Sequence, residues 1–192
     1  MKIAVYSGSF NPLHIGHLAI LRYLVKNAGY QRVLLIVSPQ SPFKDAASNL
    51  SGQARYEAAC DALRRHPELK GVEASDIELT MEPPHYTIRT LDTLRTQNPG
   101  ADITLVVGAD NLESFPRWRD YSRILMEYGI AVYPRKGYHR GHLKSRLLKE
   151  NPLYKIELLN APLVTISSTE IREAQINGKD AGQWLMYYEY RN

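Results

Sequence analysis

The stretch that decides the fold is a polar, glycine-containing loop that reads GSFNPLHIGH at residues 8–17. Residues 3–6 before it form a short apolar run that is typical of a buried strand. After it, leucines at positions 18, 21 and 24 recur at helical spacing up to Gly29. The chain therefore opens as a strand, a loop and a helix.

The same alternation of strand and helix patterns continues along the chain. Apolar runs at residues 33–37, 72–79, 103–107, 130–133 and 155–159 predict five more strands. Helical patterns occupy residues 52–65, 88–94 and 121–126, and the C-terminal part reads as helical at 168–176 and again from about 180. This order predicts an α/β fold with a doubly wound parallel sheet. Ligands of such sheets bind beyond the carboxyl ends of the strands, usually between the first and fourth strands.

The length and composition of the chain predict one compact domain. We expect residues 1–192 to form a single domain with a small helical part at about 166–192, because 192 residues with 44% hydrophobic and 23% charged side chains fit one core. Cys60 is the single cysteine, and no apolar run is long enough for a signal peptide or a membrane span. We therefore expect a cytoplasmic protein without a membrane partner.

Charge is only slightly unbalanced, with 24 Lys and Arg against 20 Asp and Glu. The basic side chains concentrate at residues 135–149, where no acidic residue interrupts them. This run is interpreted either as the solvated face of a helix or as a surface for a polyanion.

The loop after the first strand has the chemistry of a phosphate site. Gly8 permits close approach of a ligand to the backbone, and the amides at the helix start favour anions. His14 and His17 are three residues apart and can face one anion, while Gly16 lets a nucleoside lie against the backbone. Taken alone, the two histidines could also be structural or bind zinc.

Three other segments carry candidate binding groups. Ser167 and Glu170 form the pattern of a capping box, which predicts a helix start with Ser168 in its first turn and Arg172 one turn along. Lys44 lies in a proline-stiffened loop after the second strand. After the fourth strand, Gly108 permits close approach, Asp110 can accept hydrogen bonds from ribose, and Trp118 offers a face for a planar ring or packs in the core.

Two of these segments resemble the signatures of the nucleotidyltransferase superfamily. Residues 8–17 look like its loop ending in His-x-Gly-His, and residues 166–172 look like its Ile-Ser-Ser-Thr-x-Ile-Arg motif. The resemblance implies a Rossmann-like fold and catalytic roles for His14, His17, Lys44 and Arg172. It also implies an ATP site, at Gly8, Ser9, Phe10, Gly16, Gly108, Asp110, Ile166, Ser167 and Ser168.

Within the superfamily, the chain is similar to the bacterial nicotinate mononucleotide adenylyltransferases. The similarity rests on residues 108–110, on Trp118 and on the pair Tyr86 and Thr87. It implies a pyridine ring on Trp118, with the ring carboxylate near Thr87 and the backbone around Arg119. The implied reaction is adenylyl transfer from ATP to nicotinate mononucleotide, with Mg²⁺ held mostly by phosphate oxygens and water. Phe43 and His85 depart from the family's usual residues.

Several alternatives stay open. A sister transferase could use nicotinamide mononucleotide or phosphopantetheine as the acceptor, or CTP in place of ATP. A protein of another class, binding nucleotide or RNA without catalysis, could share the same fold, and the basic run at 135–149 is its best support. An aminoacyl-tRNA synthetase fragment fits poorly, because 192 residues leave no room for a tRNA-reading domain. We expect no nucleic-acid partner, and the oligomeric state is open.

Overall fold

The structure, a computed structural model, describes residues 1–39 and 51–186. Its centre is a six-stranded, fully parallel sheet in the order β3-β2-β1-β4-β5-β6. The strands are β1 (Lys2–Gly8), β2 (Arg32–Val37), β3 (Val72–Ser75), β4 (Asp102–Gly108), β5 (Ile130–Tyr133) and β6 (Ile156–Leu158). The doubly wound sheet that the sequence predicts is therefore confirmed.

Eight helices are described around this sheet. They are α1 (Ile15–Lys26), α2 (Gly52–Arg64), α3 (Ile77–Thr80), α4 (Thr87–Gln97), α5 (Ala109–Ser114), α6 (Tyr121–Arg123), α7 (Arg140–Glu150) and α8 (Ser168–Ile176). A π-helical turn (Ile124–Tyr128) extends α6. Within the described ranges, no helix combines the length and the apolar character needed to cross a bilayer.

The strand order reverses between β1 and β4. These strands are neighbours, with Tyr6 opposite Val106, and the chain then continues outward in opposite directions, to β2 on one side and β5 on the other. Loops that leave the carboxyl ends of β1 and β4 consequently diverge to opposite faces of the sheet, which opens a crevice between them.

Both faces of the sheet are buried. Alternate residues of β1 point to opposite sides, so that Val5 packs in one core with α4 while Ala4 packs in the other with α1 and α2. Both residues are almost fully buried, as are most of the strand residues around them. The continuous apolar runs in the sequence follow from this double coverage.

Two predicted elements are wrong in part. The strand expected at 72–79 ends at Ser75, because the Ser75 hydroxyl accepts the Ile77 amide at 3.3 Å and the chain turns into α3. In place of a helix from about 180, the described residues, which end at Met186, have a 3-10 turn at Gly182–Trp184. There the Asp180 side chain accepts the Gly182 amide, at 2.8 Å, and so competes with a regular helix.

Candidate active site

Helix α1 begins with a reciprocal capping box made by two histidines. His14 is the N-cap, and its Nδ1 atom accepts the Gly16 amide at 3.1 Å. His17 Nδ1 in turn accepts the His14 amide, also at 3.1 Å. A ring nitrogen that accepts a hydrogen bond carries no proton, so the proton of each neutral ring sits on Nε2. Both histidines therefore offer an Nε2–H donor.

The environment keeps both rings neutral. Burial, followed by the charge of Arg135, lowers the pKa of His14 to about 4. Burial is also the main cause that lowers the pKa of His17, and His14 and Arg135 add to it. The ring centroids of the two histidines are only 3.8 Å apart, a distance at which two cations would repel each other. Near pH 7 the pair consists of neutral donors.

Phe10 packs against one histidine of this pair, His17. Its backbone φ is +44°, its side chain is buried, and its ring packs edge-on against Tyr6 and His17. A Cβ on Gly8 would lie 3.1 Å from the Phe10 ring, so the glycine leaves room for it. Phe10, which the resemblance assigns to the ATP site, thus acts here as packing behind His17.

The start of α8 docks on the same loop. The Ser168 hydroxyl donates to the Pro12 carbonyl at 3.1 Å, and Arg172 Nη1 donates to the Asn11 carbonyl at 2.6 Å. The capping box predicted for Ser167 and Glu170 is confirmed. Because the first amides of a helix have no partner within it, the amides of Ser168 and of the next residue remain as anion donors.

A central cavity of about 170 Å³ lies between these two helix starts. It brings together segments that are far apart in the sequence, and its polar lining includes Ser9, His14, His17, Arg135, Ser167, Ser168 and Arg172. Gly16 also lines it, and a Cβ there would lie 2.3 Å from Val164 Cγ1 and 2.9 Å from the His14 ring. The glycine is therefore needed for the helix start to sit against Val164.

A second cavity of about 270 Å³, the Trp118 cavity, also lies at the strand-order reversal, against the carboxyl ends of β1 and β4. Thr87 and Trp118 line it, and so do Gly8 and Gly108. Tyr86 and Arg119 do not line it; they lie outside, where the Arg119 guanidinium is 5.7 Å from the centre of the Tyr86 ring. The structure thus brings together two of the four residues expected at the acceptor site.

The central and Trp118 cavities meet at two tyrosines, Tyr6 and Tyr133, which line both. Their rings pack edge-on with centroids 5.9 Å apart. Burial raises the pKa of each phenol, so both hydroxyls stay protonated at neutral pH. A ligand that spans the two cavities would therefore lie against both tyrosine side chains.

A third cavity of about 270 Å³, the Asp110 cavity, adjoins the central one. Asp110, Ile166 and Ser167 line it, and Arg135 and Ser167 are shared with the central cavity. The Arg135 Nε atom lies 3.4 Å from Asp110 Oδ1. Lys44 lies outside the described residues, as do Phe43 and the tyrosines at 187, 188 and 190.

Sequence reasoning missed four side chains of this region. Tyr6 and Tyr133 look like ordinary strand residues, and Arg135 belongs to the basic run although it lies only two residues after the end of β5. The rule that ligands bind at carboxyl ends of strands could have identified all three. Arg55 is buried and donates from Nη1 to the carbonyls of Ser9, at 2.5 Å, and Ser38, at 2.9 Å. It therefore holds the loops after β1 and β2.

The His-x-Gly-His pattern occurs a second time, at residues 139–142, where it opens α7. There the His139 side chain makes no capping hydrogen bond, and His142 is exposed. A Cβ on Gly141 would meet nothing within 4 Å. The second copy thus lacks the packing that fixes the first.

A Rossmann-like sheet with two helix starts around one cavity is typical of the nucleotidyltransferases. In agreement, the model of the cytidylyltransferase-like family matches residues 5–174 of the chain. A structure of the Plasmodium falciparum nicotinic acid mononucleotide adenylyltransferase, complexed with NaAD, superposes with a TM-score of 0.77. The alignment covers 96% of this chain and 90% of that one, and at 18% identity it supports the fold alone.

Curated relatives identify the particular family within the nucleotidyltransferases. A probable nicotinate-nucleotide adenylyltransferase of Bacteroides fragilis is 38% identical over 184 residues, which are 96% of this chain and 87% of the relative. The protein of the same name in Flavobacterium psychrophilum is 37% identical, over 94% of this chain and 89% of its own length. The chain belongs to the family of nicotinate-nucleotide adenylyltransferases.

Proposed function

We propose that this chain transfers the adenylyl group of ATP to nicotinate mononucleotide and releases pyrophosphate, as one nucleotidyltransferase domain. The observation that carries the proposal is the pair of adjoining cavities at the strand-order reversal. One is lined by neutral histidines, two helix starts and arginines, and the other by Trp118 and Thr87. An anionic triphosphate suits the first cavity, and a planar ring suits the second.

The reaction exchanges one phosphorus–oxygen bond for another. An oxygen of the acceptor phosphate forms a bond to the α-phosphorus, and the bond from that phosphorus to the bridging oxygen of pyrophosphate breaks. The acceptor phosphate is already an anion near pH 7, so the attack requires no general base. In-line attack requires that the acceptor approach from the side opposite the leaving group. Entry of the two substrates from different cavities supports this geometry.

Negative charge grows on the departing pyrophosphate, and the proposed catalytic residues are donors that stabilise it. His14 and His17 offer Nε2–H groups that are held in place by the capping box. Arg172 adds a positive charge at the same cavity. Because neutral imidazoles lose no proton here, their contribution is positioned hydrogen bonding. Lys44 is proposed as a further phosphate contact.

Asp110 and Ser167 are the proposed contacts for the adenosine half of ATP. Both line the Asp110 cavity, which adjoins the central cavity, and the Asp110 carboxylate is suited to accept hydrogen bonds from ribose. Gly108 supports this role, because a Cβ there would lie 2.2 Å from Asp110 Oδ1. A side chain at 108 would displace the carboxylate.

Trp118 and Thr87 are the proposed contacts for the pyridine ring of the acceptor. Trp118 packs against Phe115 with ring centroids 4.8 Å apart and ring planes inclined at 31°, a contact that restrains its ring. Thr87 is the first residue of α4, where helix amides favour a carboxylate. This arrangement supports nicotinate over nicotinamide. Tyr86 and Arg119 would contact the acceptor only at the rim.

Mg²⁺ is proposed to arrive with ATP and to be held by its phosphate oxygens and water. Within the described residues, no group of three or more His, Cys, Asp or Glu side chains could hold a metal ion. A binding mode through phosphates needs no such group. When bound, the ion would neutralise charge on the triphosphate.

The proposal is tested by measuring pyrophosphate release from magnesium ATP with one acceptor at a time. Nicotinate mononucleotide, nicotinamide mononucleotide and phosphopantetheine are compared by kcat/KM. We expect the nicotinate compound to be preferred. A preference for phosphopantetheine would contradict the acceptor, and salt-dependent RNA binding without pyrophosphate release would contradict the enzyme class.

A further inference from the structure

The last described residues of the chain lie against the start of α1. Leu185 forms an isolated antiparallel bridge with His14, and the Met186 amide donates to the Leu13 carbonyl at 3.3 Å. The Met186 side chain is buried in the core that also holds α1. The backbone of Leu13 and His14 is thus in contact with Leu185 and Met186, which are far along the sequence.

His66, in the turn after α2, fastens this segment. Its Nε2 atom lies 2.8 Å from the Met186 carbonyl oxygen, and its Nδ1 atom lies 3.1 Å from Glu68 Oε1. A carbonyl oxygen and an ionised carboxylate oxygen can only accept, so Nε2 donates in the first contact, and Nδ1 donates in the second when the ring carries both protons. The His66 side chain is only 17% exposed, which shields both contacts from water.

Glu68 connects His66 back to α1. Its Oε1 atom accepts two hydrogen bonds from Arg22, at 3.0 Å from Nε and 2.6 Å from Nη2. Arg22 lowers the pKa of the Glu68 carboxyl to about 2, so it is an ionised acceptor at neutral pH. Arg22 belongs to α1. The contacts therefore connect the middle of α1, through Glu68, His66 and Met186, to Leu13, just before the helix begins.

We infer that His66 is a positioning residue for His14. By tethering Met186 to the Arg22–Glu68 pair, His66 holds the strand-like segment that backs the His14 peptide. His14 can then direct its Nε2 donor only where the proposed reaction, on which this inference rests, needs it. Loss of the tether would leave the segment free to separate from the loop. Displacement of a catalytic group by about 1 Å can lower turnover by up to about a hundredfold.

Loss of the tether should change the kinetic constants for ATP and for the acceptor differently. The central cavity contains His14 and His17, whereas the Trp118 cavity contains no residue of α1, α8 or the segment at Leu185. A loosened tether should therefore impair ATP binding and turnover without changing the KM of the acceptor. A fault of folding alone would lower the amount of active enzyme and change neither KM.

The test uses two amides that each keep one of the two contacts. The side-chain nitrogen of Gln is as many bonds from Cβ as Nε2, so His66→Gln can still donate to Met186. The nitrogen of Asn is as many bonds away as Nδ1, so His66→Asn can reach only Glu68. We expect His66→Gln to keep kcat/KM for ATP within about twofold, and His66→Asn to lower it about tenfold. The acceptor KM should stay within about twofold in both. His142→Asn, at an exposed histidine, is the control and should behave as the wild type.

ATP affinity, measured by calorimetry without acceptor, separates this inference from the proposed function. If the wild type binds ATP but releases no pyrophosphate, the proposed function fails while the affinities of the variants still test the tether. Equal ATP affinities for the Gln and Asn variants would overturn the role of His66. So would an acceptor KM that changes as much as that of ATP. Should His66→Asn not fold, Glu68→Gln is used instead, because it weakens this chain of contacts from its other side and is expected to have an intermediate effect.

Discussion

Gly16 gives the most direct test of the geometry around His14, because the effect of one added carbon can be compared at two equivalent positions. Gly16 and Gly141 are each the second residue of a helix and each follow the first histidine of a His-x-Gly-His pattern. At Gly16 a new Cβ would lie 2.3 Å from Val164 Cγ1 and 2.9 Å from two atoms of the His14 ring. At Gly141 it would meet nothing within 4 Å. The intrinsic stabilisation of a helix by alanine relative to glycine is therefore the same at both positions, and only the steric clash differs.

The expected difference follows from the cost of inserting a carbon into packed surroundings, about 1–3 kcal/mol. Gly141→Ala should gain roughly 0.5–1 kcal/mol of unfolding free energy, since helix formation favours alanine. Gly16→Ala should be about 2 kcal/mol less stable than Gly141→Ala, or about 4–8 °C in Tm for a chain of this size. It should also lose roughly tenfold to a hundredfold in kcat, because the clash pushes the His14 ring.

Urea unfolding and pyrophosphate release measure these two effects. Val164→Ala removes the methyl carbon that Gly16→Ala meets, so the double variant should be more stable than the sum of the single changes by about 1 kcal/mol. The reasoning is refuted if Gly16→Ala matches Gly141→Ala in stability and activity, or if the two changes at 16 and 164 are additive.

Three further outcomes are expected. His17→Asn keeps an acceptor for the His14 amide but loses the Nε2 donor, so turnover should fall about a hundredfold with little change in stability, whereas His142→Asn should change neither. Between pH 6.5 and about 4 the unfolded chain protonates at His14 while the folded chain does not, so the free energy of unfolding should fall as pH falls, by up to ~1.4 kcal/mol per pH unit; a urea midpoint that does not change over this interval would contradict the burial of the ring. Thr90→Val removes the hydroxyl that donates to the buried Glu78 carboxylate at 2.9 Å, and should cost about 1–3 kcal/mol where Thr90→Ser costs less; equal urea midpoints would contradict it.

Much of the fold could be predicted because parallel strands covered on both faces leave continuous apolar runs. Residues 33–37 and 103–107 are such runs, and they became β2 and β4. The predictions failed at the edges. β3 ends at Ser75, where a side-chain hydroxyl competes for the backbone, and the described residues after Asp180 form a 3-10 turn before Leu185 pairs with His14. Such local competition is decided by contacts that a hydrophobic pattern does not record.

Only part of the candidate site could be predicted. Its motifs can be recognised from neighbouring residues, whereas the other residues that line the cavities carry no local pattern. The start of α8 could be predicted from Ser167 and Glu170, since a capping box is formed within four residues. Arg135 belongs to no local motif, and its place in the central cavity depends on β5 lying next to β4. The roles of Tyr6 and Tyr133 likewise depend on two strands that flank β4.

The sequence by itself determined the order of strands and helices, the two helix starts rich in anion donors, and the resemblance that relates them to one family. It also contains the His-x-Gly-His pattern twice, and the two copies differ only at the second of the four residues, Ile15 in one and Arg140 in the other. Only the tertiary structure decided between them. The first copy follows β1 at the strand-order reversal, where Val164, Arg135 and the start of α8 enclose it, while the second faces open space. Local sequence shapes a helix start, but burial and the neighbours brought by the sheet turn one copy of the pattern into a site.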